Sequence, residues 1–458
     1  MNAHDRGPPL DGAAVARSVP MKKAAFLAMA STASAGIGML AIAWLATRRL
    51  TPAELGFFFS FLSFGALVQL ADFGLSYAAL QKAGELAGTG KLADVPALAA
   101  LVNRWNILAT GLGAGLAALL GWAAFQSAGV AEAGKSVHFK GPWAGYLVGV
   151  FVAQLRAPAI SLREGSGRVV EMWRLRFSQE GIAALVCLVA LHRGAGLWSL
   201  TFFAAARGLV ATAWLMFGEP LGAPAESHAF PLQRWMSEVW PFQWRIGLSV
   251  LSGFFIFRAL SPVILVERGP VSAGQFGLAM ALMNLLLGVT AAWPLSHAAR
   301  YSTFFAAGRH RELRREFPSL LWSSTALAFV AAAAACGMLW WARAHQLTFA
   351  LRLPDLPIMA MILVAAVAHH VVACLAMYMR AEGREPMLLP SVLGGIFTIA
   401  IAWLTAHFGT LLQIGAVYLA CSVGGIPIAL AILRGRRRVL AHTAMSIPVD
   451  PGRTGTST

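Results

Sequence analysis

Apolar runs of about 20 residues follow one another along this chain with only short polar turns between them, and that leaves it one class of fold. Inside a bilayer there is no water to bond a free N–H or C=O. A spanning segment must therefore bond its own backbone, as an α-helix does. The expected spans are 24–46, 54–81, 98–126, 142–163, 177–193, 197–218, 241–266, 275–298, 319–343, 356–380, 387–407 and 413–434. The reading is an all-α integral membrane protein of about twelve transmembrane helices in two six-helix halves around a central cavity. Composition agrees: 12% of the residues are charged, against about 25% in soluble domains. Mean hydropathy is +0.66.

The chain is also doubled. Residues 50–75, LTPAELGFFFSFLSFGALVQLADFGL, and 270–295, PVSAGQFGLAMALMNLLLGVTAAWPL, each open a long apolar helix from a short turn containing a Gly. A second pair, LREGSGR at 162–168 and MRAEGR at 379–384, follows an apolar run in each half. Two similar sets of helices with a cleft between them are the build of a transporter rather than of a membrane anchor. The halves are 21–230 and 231–434, joined by the Pro- and Gly-rich stretch GEPLGAPAESHAFPLQRW. Segments 1–20 and 435–458 are polar and too short to fold alone, so they are expected to be disordered cytoplasmic tails.

Lys and Arg set the orientation. With the N terminus inside and the spans above, 20 of the 36 Lys and Arg fall in inner segments and 6 in outer ones. Both termini are then cytoplasmic and the protein is multi-pass in the inner membrane. The net charge of +16 becomes inner-surface charge facing anionic membrane lipids, not a footprint for nucleic acid. Lys22 and Lys23 before an apolar run resemble a signal peptide. The run from Ala24 to Ala46 is longer than a signal core, however, and reads as a retained helix.

Several chemistries find no support. Cys187, Cys336, Cys374 and Cys421 lie in apolar runs without a CxxC. His369 and His370 are adjacent on a helix, so they point about 100° apart and cannot share one ion well. No metal and no cofactor are expected. A membrane glycosyltransferase or ligase needs carboxylates over its donor at a membrane face. No outer segment carries a paired-acid motif, so no catalytic residues are assigned and the chain is read as not an enzyme.

The stretch TPAELGFFFSFLSFGALVQLADFGL, the hairpin LREGSGRVVEM and the segment GQFGLAMALMNLL resemble bacterial polysaccharide flippases of the O-antigen type. These belong to the multidrug/oligosaccharidyl-lipid/polysaccharide exporter superfamily. The likeness spans roughly 22–434 and rests on Gly, Pro and apolar patterning. It implies movement of a polyprenyl-diphosphate-linked oligosaccharide from inner to outer leaflet by alternating access, for polysaccharide biosynthesis. It also implies a polysaccharide polymerase and other assembly proteins as partners. A cation-coupled multidrug exporter of the same superfamily is the alternative. The absence of any ionisable residue between Ala24 and Ala46 disfavours it, since that branch usually carries its coupling acid in the N-terminal half.

Charges inside the spans bear on the substrate. An Arg at a helix centre costs about 2.5–3.5 kcal/mol, so it should face a wet cavity or a partner. Arg156, beside Gln154, and Arg207, Arg245 and Arg258 are the candidates for substrate binding, because guanidinium forks fit phosphate oxygens. Arg245 has snorkelling to the inner surface as its alternative, and Arg156 has capping of helix-end carbonyls. Arg245 and Arg258 lie about 20 Å apart along one helix and cannot hold one phosphate. Asp72 is expected to be the only carboxylate well inside a span. It is open to pairing with a cavity Arg, to ion coupling, or to capping a break before Gly74. Glu180, four residues after Arg176, is expected in a surface ion pair at the start of helix 5. Pro158, Pro262 and Pro294 mark bends, Pro294 as a gating candidate.

Overall fold

The computed structural model describes residues 21–127, 130, 132, 137–218, 230–306, 309–380 and 385–445. The linker at 219–229, the turn containing Gly383 and the segments 1–20 and 446–458 lie outside these. Among the described residues the regular structure is entirely helical: α1 Met21–Arg49, α2 Pro52–Leu70, α3 Leu75–Gly88, α4 Val95–Phe125, α5 Lys140–Leu155, α6 Ala157–Gly165, α7 Val169–His192, α8 Trp198–Phe217, α9 Leu232–Glu238, α10 Trp240–Phe257, α11 Leu260–Ala306, α12 His310–Ala344, α13 Thr348–Leu351, α14 Leu356–Arg380, α15 Leu388–Phe408 and α16 Leu411–Met445. Eleven stretches are long and apolar enough to cross a membrane, and one of them, Trp240–Ala298, is 59 residues long. A straight helix of that length would be near 88 Å, far more than the hydrocarbon thickness of about 30 Å. The stretch turns back at Gly269, whose φ of 82° interrupts the helix, so it supplies two of twelve crossings. The protein is an all-α membrane protein.

Alternate crossings give the bundle two ends. The distal end carries the turns at 50–51, 193–197, 269 and 345–355; the proximal end carries 166–168 and the start of α12. In the first half α1 packs on α7, α5 on α8, and α2 on α4 and α5; in the second, α14 packs on α11, α12 and α16, and α10 on α15. The two halves meet chiefly through α2 and α11, the two helices that carry the doubled motif. Their distal ends touch backbone to backbone. A Cβ at Gly56 would lie 1.9 Å from the Pro270 carbonyl oxygen, and one at Gly277 would lie 2.3 Å from the Phe59 side chain. Glycine at these positions permits the close approach that van der Waals packing in lipid requires. Thr51 and Glu54 close a capping box at the start of α2, so the seam begins on a fixed helix end.

Expected continuous helices are broken at three places, each with a local cause. After α2 the chain turns at Phe73 (φ 44°) and Gly74 (φ 78°), and Gly74 lies against the backbone of Gln243 and Gly247. Pro158 has no N–H for the carbonyl of Gln154, and α5 ends there. The Asn106 amide donates to that freed oxygen at 3.3 Å. Pro262 acts likewise on Arg258, where α10 ends. Pro294, by contrast, lies buried in α11, where the only non-helical dihedrals are at Gly269. Helix 5, expected from 177, begins at Val169, and the last helix runs past the expected boundary at 434 to Met445.

A clamp ties the halves at the proximal end. Lys82 of α3, only 5% exposed, donates to Glu85 at 2.8 Å and to Glu238 of α9 at 2.6 Å. The hydrogen bond from Lys82, reinforced by Arg234 against a smaller desolvation, holds the Glu238 carboxyl below the usual glutamate range. A carboxyl lowered on folding stabilises the fold above its unfolded value, and that contribution is lost as pH falls through the folded value. Wild type should therefore be more heat-stable than Glu238→Gln by a constant margin above about pH 5, with the gap closing on further acidification. Thermal aggregation midpoints in detergent across a pH series check this; a pH-independent gap would remove the ion-pair account.

Candidate functional site

A cavity of ≈ 490 Å³ lies among α1, α2, α5, α6, α7 and α8, and Arg258 of the second half reaches into it. That size is within the range of small-ligand sites. Its apolar wall comes from residues such as Met39, Leu62, Val150 and Phe203, and its polar groups are Gln69, Tyr146, Gln154, Gln179, Glu180, Arg207 and Arg258.

The helix breaks help to place these groups. Gln154 lines the cavity at the end of α5, where Pro158 stops the helix. Arg258 is the C-cap of α10, where Pro262 stops that one. Tyr146 is held by an aromatic cluster at the distal end, with its ring 6.1 Å from Phe61 and 6.2 Å from Trp143. Gly65 faces that ring with no room for a Cβ. The Tyr146 phenol is within electrostatic reach of both Arg207 and Arg258.

Arg207 of α8 pairs with Glu180 of α7 at 2.7 Å. The Gln179 amide donates to the Arg207 carbonyl at 3.0 Å and locks the two helices in register. Arg207 Nε is buried with no protein partner, so the pair leaves part of the fork unused. Arg258 is exposed to the cavity and has no carboxylate partner among the described residues. The ionisable inventory is thus two guanidinium groups and one carboxylate, with one positive charge left uncompensated.

Of the residues singled out from sequence, Gln154, Arg207 and Arg258 line this cavity together. Arg156 lies next to it but turns away, donating from Nε to Thr212 Oγ1 at 3.0 Å. Arg245 is exposed and stacks over Trp244 at 5.6 Å, off the cavity. Asp72 is also off it: its carboxylate accepts from Ser76 N at 3.1 Å and from Ser76 Oγ at 3.0 Å. It caps α3 after the break. His369 and His370 go separate ways, to Ser422 on α16 at 3.0 Å and to Ser324 on α12 at 3.1 Å.

Glu180 is the residue that the sequence reading misplaced. Arg176 bonds Glu164 at 2.6 Å instead, which leaves Glu180 free for Arg207. Asp72 is therefore not the only carboxylate within a span. A signal was present: the Gly165–Gly167 turn ends one helix, so the next starts near 169. Glu180 then sits about 16 Å along it, near mid-membrane.

No protein-family model matches the sequence, and no curated protein matches it. Solved structures do match. The lipid II flippase MurJ in an inward closed conformation is similar over 89% of this chain and 87% of its own, with a TM-score of 0.63 and 10% identity. A MATE protein in complex with MaD3S covers 94% and 98%, with a TM-score of 0.59 and 15% identity. A MATE protein in its bent conformation covers 95% and 99%, with a TM-score of 0.56 and 14% identity. At these identities the likeness establishes the fold: the chain has the architecture shared by MATE transporters and the MurJ flippase.

Proposed function

We propose that this chain is a flippase that moves a polyprenyl-diphosphate-linked saccharide from the inner to the outer leaflet by alternating access. One observation carries the reading: a polar cavity within the bundle holds Arg207 and Arg258, from the two halves, with one positive charge uncompensated. Guanidinium forks keep their charge in a low-dielectric site and match phosphate oxygens. Arg258 disfavours an organic cation in the same space. MurJ, similar in fold, is a lipid II flippase, which supports a lipid-linked substrate. Both termini face the cytoplasm of the inner membrane in this reading, and a polysaccharide polymerase is a partner.

The decisive test is leaflet-resolved transport in proteoliposomes holding this protein and a lipid-diphosphate oligosaccharide. Lectin or glycosidase access to the sugar from one side reports flipping. Protein-dependent movement is expected. No movement, with efflux of a cationic dye from the same vesicles, would make the chain a multidrug exporter instead. Orientation has its own check. A single cysteine at Arg311 is expected to label only from the cytoplasmic side and one at Gln346 only from outside; the reverse pattern would overturn the topology.

A further inference from the structure

Charge balance in the cavity has a consequence for Glu180. In the empty site Glu180 is the internal counterion of Arg207, at 2.7 Å. A diphosphate diester carries two negative charges. Placed against Arg207 and Arg258 it neutralises both guanidinium groups and takes over the fork that Glu180 holds. The carboxylate is then left without a cation, 20% exposed and near the middle of the bilayer. An uncompensated charge there is costly, and a carboxylate removes it by binding a proton.

Among the described residues, no third cation lines the cavity to replace the lost partner. Of the helices packed on α7, α1 turns Ala35 and Met39 to the cavity and α8 supplies Arg207. α6 contributes Glu164, already bonded to Arg176 of α7. Across the cavity stand the neutral Tyr146 of α5 and Arg258 of α10. On α7 itself Glu171 accepts from Trp214, and His192 lies at the distal helix end beside Arg49.

Resting on the diphosphate reading above, we propose that Glu180 takes up one proton from water when a dianionic headgroup binds, so that proton and lipid occupy the cavity together. The step is carboxylate plus H⁺ giving carboxylic acid, with no other bond made or broken. A headgroup with a single phosphodiester leaves Arg207 to Glu180, is matched by Arg258, and takes up no proton. Glu180 thus makes binding of a diphosphate, but not of a monophosphate, pH-dependent.

Calorimetric titration in two buffers of different ionisation enthalpy counts the protons. The probes are a farnesyl diphosphoryl monosaccharide and its monophosphoryl analogue, neither of which titrates near neutrality. For wild type, uptake of about one proton per diphosphate probe is expected over the pH range in which Glu180 is ionised in the free protein and protonated in the complex, where Kd should rise up to about tenfold per pH unit. The monophosphoryl probe should take up none. Glu180→Gln should bind the diphosphate probe with no proton and a flat pH profile. Equal proton counts in wild type and variant, or proton release on binding, would overturn the proposal while leaving the diphosphate site standing. Should Glu180→Gln fail to fold, the wild-type contrast between the two probes decides by itself. Failure of both proteins to bind either probe would overturn the anion-binding reading and this proposal with it.

Discussion

Arg258→Ala is expected to lower flipping of a diphosphate-linked lipid by about 10- to 100-fold while protein level and heat stability stay near wild type. The rate loss follows from removing one charge-assisted contact, worth about 1.5–3 kcal/mol. The unchanged stability follows from the surroundings: Arg258 has no carboxylate partner among the described residues, so its removal strands no charge. Arg207→Ala is a less clean test, because it would leave Glu180 unpaired at mid-membrane and disturb folding as well as transport. The double change Arg207→Ala with Glu180→Gln separates the two effects, restoring stability but not flipping. Arg258→Lys should fall between, keeping the charge and losing the fork. Proteoliposome flipping rates, normalised to reconstituted protein, read all four; full activity in Arg258→Ala would remove the cationic cavity as the substrate site.

Gly56→Leu is expected to abolish transport by preventing closure of the distal seam. Even the first added carbon would meet the Pro270 carbonyl oxygen, carbonyl carbon and Cα at 1.9, 2.6 and 2.7 Å. These are backbone atoms, pinned by the turn at Gly269, and cannot swing aside as a long side chain would. Gly274 approaches from the other helix, where an added Cβ would lie 2.9 Å from the Gly56 nitrogen. The ends of α2 and α11 must therefore separate, at a cost of about 1–3 kcal/mol or more. Spin labels at Ala53 and Val271 should report a longer and broader distance in the variant. Gly111→Leu is the control, because a Cβ there meets nothing within 4 Å. An unchanged label distance together with normal flipping in Gly56→Leu would show that this seam does not close the cavity.

The sequence by itself determined the fold class, because apolar length is a property of consecutive residues and the bilayer forbids an unbonded backbone. It also showed the doubled motif, which proves to be the seam where the halves meet, and the prolines at 158 and 262 that end α5 and α10. It ranked Arg207 and Arg258 above mere surface charges, since an arginine inside a span needs a reason.

Which of those charges share a space was decided only by the tertiary structure. Arg156 and Gln154 stand two residues apart at one helix break, yet Gln154 faces the cavity and Arg156 bonds Thr212. Glu180 passed for half of a local ion pair with Arg176 until helix packing gave Arg176 to Glu164 and Glu180 to Arg207. Pairing follows the direction of a side chain around its helix and the neighbour that packs there. A helix start misplaced by a few residues rotates and shifts that direction by a turn or more, while leaving the apolar run that names the span almost unchanged.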